Sequence, residues 1–240
     1  MPTDALIDRA RRMWADLAGG PVEFPLNGGV EVVVSAGSRI CPPGWGGVVV
    51  VGDAGIATVP HDSLIQVLSE ALADLPLPAV TDADQLRTRL PIRNVLGPAT
   101  LAYLDGADFR PVEGRTVVEE LPPEHGDLAA LLASVNAEDA EESGLSEITS
   151  QAFAVRGPTG LVAVAGYRHW PGSTAHLSVL TAPEHRGQGL AQVVASVAAR
   201  SALANQLLPQ WRARPEPSRR VAAALGFRHL GSQLSMNLSR

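Results

Sequence analysis

The chain of 240 residues carries a formal net charge of −6 at pH 7 and is 45% hydrophobic, which is typical of a globular protein and excludes a disordered one. Its single cysteine, Cys41, excludes an intramolecular disulfide, and no Cys/His cluster has the spacing of a zinc site. No apolar run approaches membrane-spanning length and the N-terminus lacks the apolar core of a signal peptide, so we expect a cytoplasmic protein without a bound metal.

Residues 1–110 are predicted to form an accessory α/β domain. Residues 30–35 and 47–51 are predicted strands, residues 76–84 a surface loop rich in Pro and Asp, and residues 106–114 an interdomain link. Two apolar stripes at helical spacing predict helices: Leu6, Ala10, Met13, Trp14 and Leu17, then Leu64, Ile65, Leu68, Ala71, Leu72 and Leu75.

Residues 115–240 are predicted to form a second domain around one mixed sheet. Its helices are indicated by the apolar face Leu128, Leu131, Leu132 and Val135, by a long pattern after Gly189, and by a segment around Ser218. Turn compositions separate the predicted strands, which are residues 115–121, 151–156, 161–170, 175–181, 207–212 and 233–238.

A glycine turn lies between a predicted strand and the long predicted helix, in the order Arg186-Gly187-Gln188-Gly189. Glycines let successive amides converge on bound oxygens, and the helix adds its own free amides and the positive end of its dipole. The predicted buried face of this helix is Leu190, Val193, Val194, Val197, Ala198 and Ser201. The pattern indicates a pyrophosphate site, with Arg186 as a fixed positive charge beside it.

Two other nucleotide sites are excluded by spacing. A dinucleotide fingerprint needs an acidic residue about 20 positions after the turn, and residues 207–211 contain none. A P-loop needs a lysine, and all 19 residues of the Lys+Arg count are arginine.

The turn and a second motif together resemble the GNAT N-acetyltransferases. In that family an Arg-Gly-x-Gly-x-Ala turn holds the pyrophosphate of acetyl-CoA, and a later helix ends in Leu-Gly-Phe. Here the second motif spans residues 211–227, and Pro215 stands where the family often has Asn. The matching positions are Ser218, Val221, Ala222, Leu225, Gly226 and Phe227.

The resemblance implies a GNAT fold in the C-terminal half, with a mixed, mostly antiparallel central sheet flanked by helices. It also implies acetyl-CoA as co-substrate and a backbone amide of residues 179–181 as the oxyanion donor. The implied cofactor-binding residues are Val179, Leu180, Thr181, Arg186, Gly187, Gln188, Gly189, Leu190, Ala191, Ser218 and Arg219. The N-terminal domain is then either a degenerate second GNAT copy or an unrelated α/β cap.

The catalytic acid and base are less clearly marked. Many GNAT enzymes have a tyrosine where this chain has Ala222, so the usual acid is absent or replaced. His176 is a candidate base on the strand that usually carries it, although a strand histidine is more often a packed residue. Glu147 is a second candidate base, with a solvated surface acid as its alternative.

Charge is divided unevenly along the chain. After residue 180 there are eight arginines and two acids, which suits a phosphate ligand, while the overall balance argues against a nucleic-acid surface. An acidic run could attract a cationic amine or be an ordinary solvated helix end. Its members are Glu138, Asp139, Glu141, Glu142 and Glu147.

These patterns predict an acetyl-CoA-dependent N-acetyltransferase. The acceptor is expected to be a small amine, an antibiotic-like amine or a peptide N-terminus, with no nucleic-acid or membrane partner; a homodimer is left open. The alternatives are a noncatalytic acyl-CoA-binding sensor and a transferase for a longer acyl group.

Overall fold

The computed structural model describes residues 4–114 and 116–238, which form two compact units. One unit contains the described residues up to Ala102 together with those from His229 onward, and the other contains Tyr103–Arg228. These units interleave along the chain, whereas the predicted domains, residues 1–110 and 115–240, follow one another.

Helices and strands alternate irregularly along the described residues. The helices are α1 (Ala5–Ala18), α2 (Ile65–Ala73), α3 (Ala83–Arg87), α4 (Gly126–Ala133), α5 (Ala137–Ser143), α6 (Leu190–Ala204) and α7 (Glu216–Ala224). The strands are β1 (Gly29–Val34), β2 (Gly46–Val51), β3 (Ala54–Val59), β4 (Ile92–Tyr103), β5 (Glu119–Leu121), β6 (Ala152–Gly157), β7 (Gly160–Trp170), β8 (Thr174–Thr181), β9 (Leu208–Ala213) and β10 (Arg228–Leu238).

The first unit has its strands in the order β1-β3-β2-β10-β4. The predicted stripe of α1 is confirmed, since its apolar residues are buried around Trp14. The predicted stripe of α2 is confirmed in its centre, where Leu68, Ala71 and Leu72 join a core with β2, β3 and β10. Strands β3 and β4 were not predicted; β3 follows β2 after only Gly52 and Asp53, a two-residue hairpin.

The predicted loop at residues 76–84 is wrong. Its residues form a 3₁₀ turn, Leu77–Thr81, followed directly by α3. Val80 is buried in the core of the first unit, and Asp82 caps α3 by accepting from the amides of Asp84 and Gln85. Pro and Asp, taken as loop residues, therefore mark the start of short helices.

The second unit has its strands in the order β9-β8-β7-β6-β5. Antiparallel pairs join β5 to β8 in sequence, and β8 pairs with β9 in parallel. The predicted strand at residues 115–121 is shorter than expected, since β5 begins at Glu119; Arg115 lies outside the described residues. Because side chains alternate across a sheet, Ala154, Val164 and Leu180 share the face that packs on α4.

The opposite face packs against α6, and of the predicted face only Val194 and Ala198 are fully buried. Val193, Val197 and Ser201 are only partly buried, whereas Ala195, Ala199 and Ala202 are fully buried with Val194 and Ala198. Small side chains let the helix approach the strands closely, so mainly alanines face the sheet, while Val193 and Val197 lie at the margin of the contact. The prediction followed the bulkier apolar residues, and the buried face of α6 is therefore rotated towards the alanines relative to the predicted one.

The predicted link at residues 106–114 is largely exposed but is hydrogen-bonded to the second unit. Arg110 donates its amide to the Leu225 carbonyl, and Val112 donates its amide to Ser196 Oγ. At Gly226, where φ is +93°, a Cβ atom would lie 1.9 Å from the Asp108 carbonyl oxygen. This close approach explains the glycine of the Leu-Gly-Phe motif.

The last strand also differs from the prediction. It begins at Arg228 rather than at residue 233, and it lies between β2 and β4 in the first unit. Six register pairs join it to β2, from Gly231–Val51 to Met236–Gly46.

Candidate functional site

Strands β8 and β9 pair over only part of their length. Parallel pairing joins Thr174–His176 to Leu208–Gln210, yet β8 continues to Thr181 and β9 to Ala213. The pair therefore opens beyond the His176–Gln210 rung.

Backbone amides of β8 point into this opening. The Ala182 amide donates to the Val162 carbonyl, on the β7 side. Since amides alternate in direction along a strand, those of Val179 and Thr181 point to the β9 side, where no strand pairs with them. The buried Thr181 Oγ1 has no hydrogen-bond partner in the described structure. An extended polar ligand that ran beside β8 would satisfy these groups.

The glycine turn follows β8 and leads into α6. Gly187 and Gly189 both have φ of +77°, and a Cβ atom at either position would meet no atom within 4 Å. Helix α6 begins at Leu190, followed by Ala191, and no side chain caps its first amides. Open space beside uncapped amides at the start of a 15-residue helix suits an anionic ligand.

Arg186 lies beside this turn and is bound to α5. Its Nη2 lies 2.8 Å from Asp139 Oδ2, and its Nε donates to the Thr181 carbonyl over 3.3 Å. The neighbouring Gln188 is exposed, and its side-chain Nε2 donates to the Glu184 carbonyl over 3.5 Å. Arg186, which is predicted to bind the phosphate, is therefore already paired with the Asp139 carboxylate of the protein itself.

The other predicted cofactor residues lie in two places. Leu180 contributes its side chain to the core under α4, so only its backbone borders the opening. Ser218 lies in the first turn of α7, where its hydroxyl accepts from Trp211 Nε1 over 3.0 Å. The next residue, Arg219, is exposed. A cofactor role for these residues stays a prediction.

His176 occupies the last paired rung of β8. Its ring stacks on Trp170 at a centroid distance of 4.1 Å, and its Nδ1 hydrogen-bonds Gln210 Oε1. Burial is the main cause that lowers the pKa of His176 to about 3; the charges of Arg212 and Arg168 also lower it, while the Gln210 bond opposes the shift. The imidazole is therefore neutral at pH 7 and a weak base.

Arg168 connects Glu147 with the position of His176. Arg168 is directly opposite His176 in the β7–β8 register, and its guanidinium forms an ion pair with the Glu147 carboxylate. The structure thus brings both predicted catalytic residues to one face of the sheet. Their catalytic roles remain predictions.

Much of the acidic run is paired with arginine. Glu142 binds Arg214, which follows β9, in the same way that Asp139 binds Arg186 and Glu147 binds Arg168. These pairs give the run a structural role that its spacing in the sequence did not indicate. They also reduce the negative charge with which it could attract a cationic amine.

Gln210 was not among the predicted site residues. This side chain is fully buried, and its Nε2 has no hydrogen-bond partner in the described structure. Its sequence position, 34 residues after His176, gives no indication of their contact, because only the β8–β9 register joins the two.

Neither Tyr103 nor Tyr167 lies at the position of Ala222, where many GNAT enzymes have their catalytic tyrosine. Tyr167 is buried, with its hydroxyl 3.5 Å from Ser201 Oγ of α6, and Tyr103 is fully buried.

In the first unit, burial raises the pKa of the Cys41 thiol, whose Sγ lies 3.2 Å from the Trp45 carbonyl. A raised pKa disfavours the thiolate needed for nucleophilic attack.

Two kinds of feature are absent from the described residues. Between residues 4 and 238, Arg115 apart, no helix is long and apolar enough to cross a membrane. Over the same residues, His, Cys, Asp and Glu side chains form no group of three that could hold a metal ion.

A sheet that opens beside a glycine turn and a helix start suits an extended ligand that ends in a phosphate group. Residues 159–232, which include β8, the turn, α6 and the Leu-Gly-Phe motif, match the family model described as GNAT acetyltransferase. Over this segment the chain is similar to the GNAT family of acetyltransferases. Among curated protein sequences, none matches this chain.

Solved structures are similar to this chain over part of its length. A GCN5-related N-acetyltransferase from Kribbella flavida is 16% identical with a TM-score of 0.50, and the alignment covers 66% of this chain and 64% of the other. A GNAT-family protein from Novosphingobium aromaticivorans DSM 12444 is 23% identical with a TM-score of 0.48, covering 62% and 67%. This chain thus spans about two thirds of the length of these structures.

Proposed function

We propose that this protein transfers an acetyl group from acetyl-CoA directly to an amine. The observation that carries the proposal is the opening of β8 from β9 beyond the His176–Gln210 rung, beside the turn at Gly187 and Gly189. The thioester of acetyl-CoA would supply the activated acyl group. A cytoplasmic location and an amine as the partner are part of the same proposal.

The chain's own groups have distinct tasks in this proposal. The amides at Val179 and Thr181 would bind the extended arm of the co-substrate and offer a donor to the oxyanion. The turn and the first amides of α6 would bind its pyrophosphate, with Arg186 as the neighbouring charge. These groups position the reactants, and direct attack requires no covalent bond to the protein.

The first experiment measures acetyl-CoA binding by calorimetry in the wild type and in Gly187→Trp. An indole at Gly187 would fill the open space beside the amides, so we expect affinity to fall by at least about tenfold, or ~1.4 kcal/mol. Gly44→Trp is the matched control, because Gly44 has φ of +78° and equally open surroundings in the first unit. Equal affinity in the two variants would overturn the assigned site.

The second readout is thiol release in the presence of a panel of amines. Amine-dependent release supports the transferase. Tight binding of acetyl-CoA without release under any amine would instead support the noncatalytic sensor.

A further inference from the structure

The contact between His176 and Gln210 determines which ring nitrogen carries the proton. A carboxamide oxygen can only accept a hydrogen bond, so Gln210 Oε1 requires a proton on His176 Nδ1. A neutral ring with Nδ1 protonated has its lone pair on Nε2. The ring is held in this orientation by its stacking on Trp170.

The position of the pair is the second observation. His176 and Gln210 form the rung at which β8 and β9 separate, so they lie at the inner end of the opening. Gln210 is buried with its Nε2 unpartnered among the described residues, which marks a polar group that a ligand or water would complete.

The charges around the ring disfavour a cation. Arg168 of β7 and Arg212 of β9 both act on His176 electrostatically. Glu147, before β6, forms an ion pair with Arg168, and Glu142 of α5 forms one with Arg214. Because Glu147 offsets the charge of Arg168, Arg212 is the main positive charge that disfavours an alkylammonium ion beside the ring, and the ring itself does not readily take a proton.

We infer that Gln210 positions His176 so that the bare Nε2 accepts a hydrogen bond from the acceptor substrate, and that the site takes this substrate as the free amine. The inference rests on the proposed function for the identity of the acceptor. Gln210 is a positioning residue here, since it acts through His176. The amine uses its lone pair to form a C–N bond with the thioester carbonyl, the C–S bond breaks, and the proton that the nitrogen loses after attack passes through solvent to the CoA thiolate.

The tautomer is tested without any turnover. In protein labelled with ¹⁵N-histidine, NMR spectra of His176, assigned with His176→Gln, should show a protonated Nδ1 and a bare Nε2 at pH 7. Gln210→Leu removes the acceptor and should increase the Nε2–H form. An Nε2–H tautomer in the wild type, as a rotated Gln210 amide would produce, overturns the inference.

Gln210→Glu provides a second variant that keeps the shape of the side chain. A carboxylate beside Nδ1 favours the imidazolium, so the pKa of His176 should rise by at least about one unit. Gln151→Glu is the matched control at an exposed position before β6, and it should leave His176 unchanged. An equal response in both variants would show that Gln210 does not act on the ring.

The choice of the free amine is tested with n-butylamine and 2-methoxyethylamine, which have the same shape but different basicity. kcat/KM against total amine should rise with pH, with the midpoint at lower pH for the weaker base. If kcat/KM is instead constant at lower pH and falls as the pH rises through the pKa of each amine, the ammonium ion is the species that binds. That result would overturn the inference that the site takes the free amine. Failure of the proposed function is distinct, because neither acetyl-CoA binding nor thiol release would then occur.

Discussion

Arg186 is both a predicted ligand-binding residue and a member of an observed ion pair. It is the arginine of the glycine turn, and it also forms an ion pair with Asp139 of α5. Both side chains are partly exposed, so the pair is worth only about 0.2–1 kcal/mol. A bound pyrophosphate would compete with Asp139 for the same guanidinium.

Asp139→Asn should therefore strengthen the binding of CoA by about two- to fivefold, since it removes the competing charge but keeps a polar side chain. Calorimetry with free CoA measures the change. Glu138→Gln, at the exposed neighbouring position, is the control for the general loss of a negative charge. If the two variants strengthen binding equally, the Arg186–Asp139 pair does not compete with the ligand.

His176 should make the stability of the protein depend on pH. Its pKa is about 3 in the folded protein but about 6.5 when unfolded, so the unfolded chain binds a proton that the folded one does not. Stability is therefore lost as pH falls from about 6.5 towards 3. Urea unfolding at several pH values should show a smaller loss in His176→Gln than in the wild type. His61→Gln, at an exposed position, should follow the wild type.

At the scale of elements, α6 shows how the sheet selects a helix face. The helix packs against β6, β7, β8 and β9, and the residues that reach the strands are mainly alanines. A close approach of helix and strands fixes the start of α6 beside the end of β8, which is where the glycine turn lies. The alanine face therefore helps to position the proposed ligand site.

Ala199→Leu should destabilise the protein by roughly 1–3 kcal/mol, because added methylenes overpack a fully buried position. Val197→Leu, at a partly buried position of the same helix, should change stability by less than about 0.5 kcal/mol. Denaturant unfolding compares the two. A larger loss in Val197→Leu would restore the face that the sequence predicted.

At the scale of the whole molecule, the chain does not divide into two successive domains. Its last strand returns to the first unit and pairs with β2. At Gly231 a Cβ atom would lie only 1.8 Å from the Val50 carbonyl oxygen. The first unit thus needs a glycine from the far end of the chain.

Gly231→Val should therefore separate β10 from β2. Hydrogen exchange should show lost protection in β2 and β10, with β6–β8 of the second unit as the internal reference. Gly106→Val is the control, since a Cβ at Gly106 meets no atom within 4 Å. Protection of β2 that stays at the wild-type level would mean that the β2–β10 pairing is not needed.

The sequence by itself determined the local structure that leads to the site. Alternating apolar runs and turn residues predicted β6, β7 and β8, and the glycine turn marked the start of α6, because these signals depend on neighbouring residues. Their order also indicated the resemblance to the GNAT acetyltransferases, whose family model matches residues 159–232.

Only the tertiary structure decided which distant residues meet. The His176–Gln210 contact, the arginine partners of the acidic run and the return of β10 all depend on strand register and helix placement. The buried face of α6 depends on how closely the sheet approaches it. Such contacts join residues far apart in the chain, and their energies are set by packing and burial rather than by any local pattern.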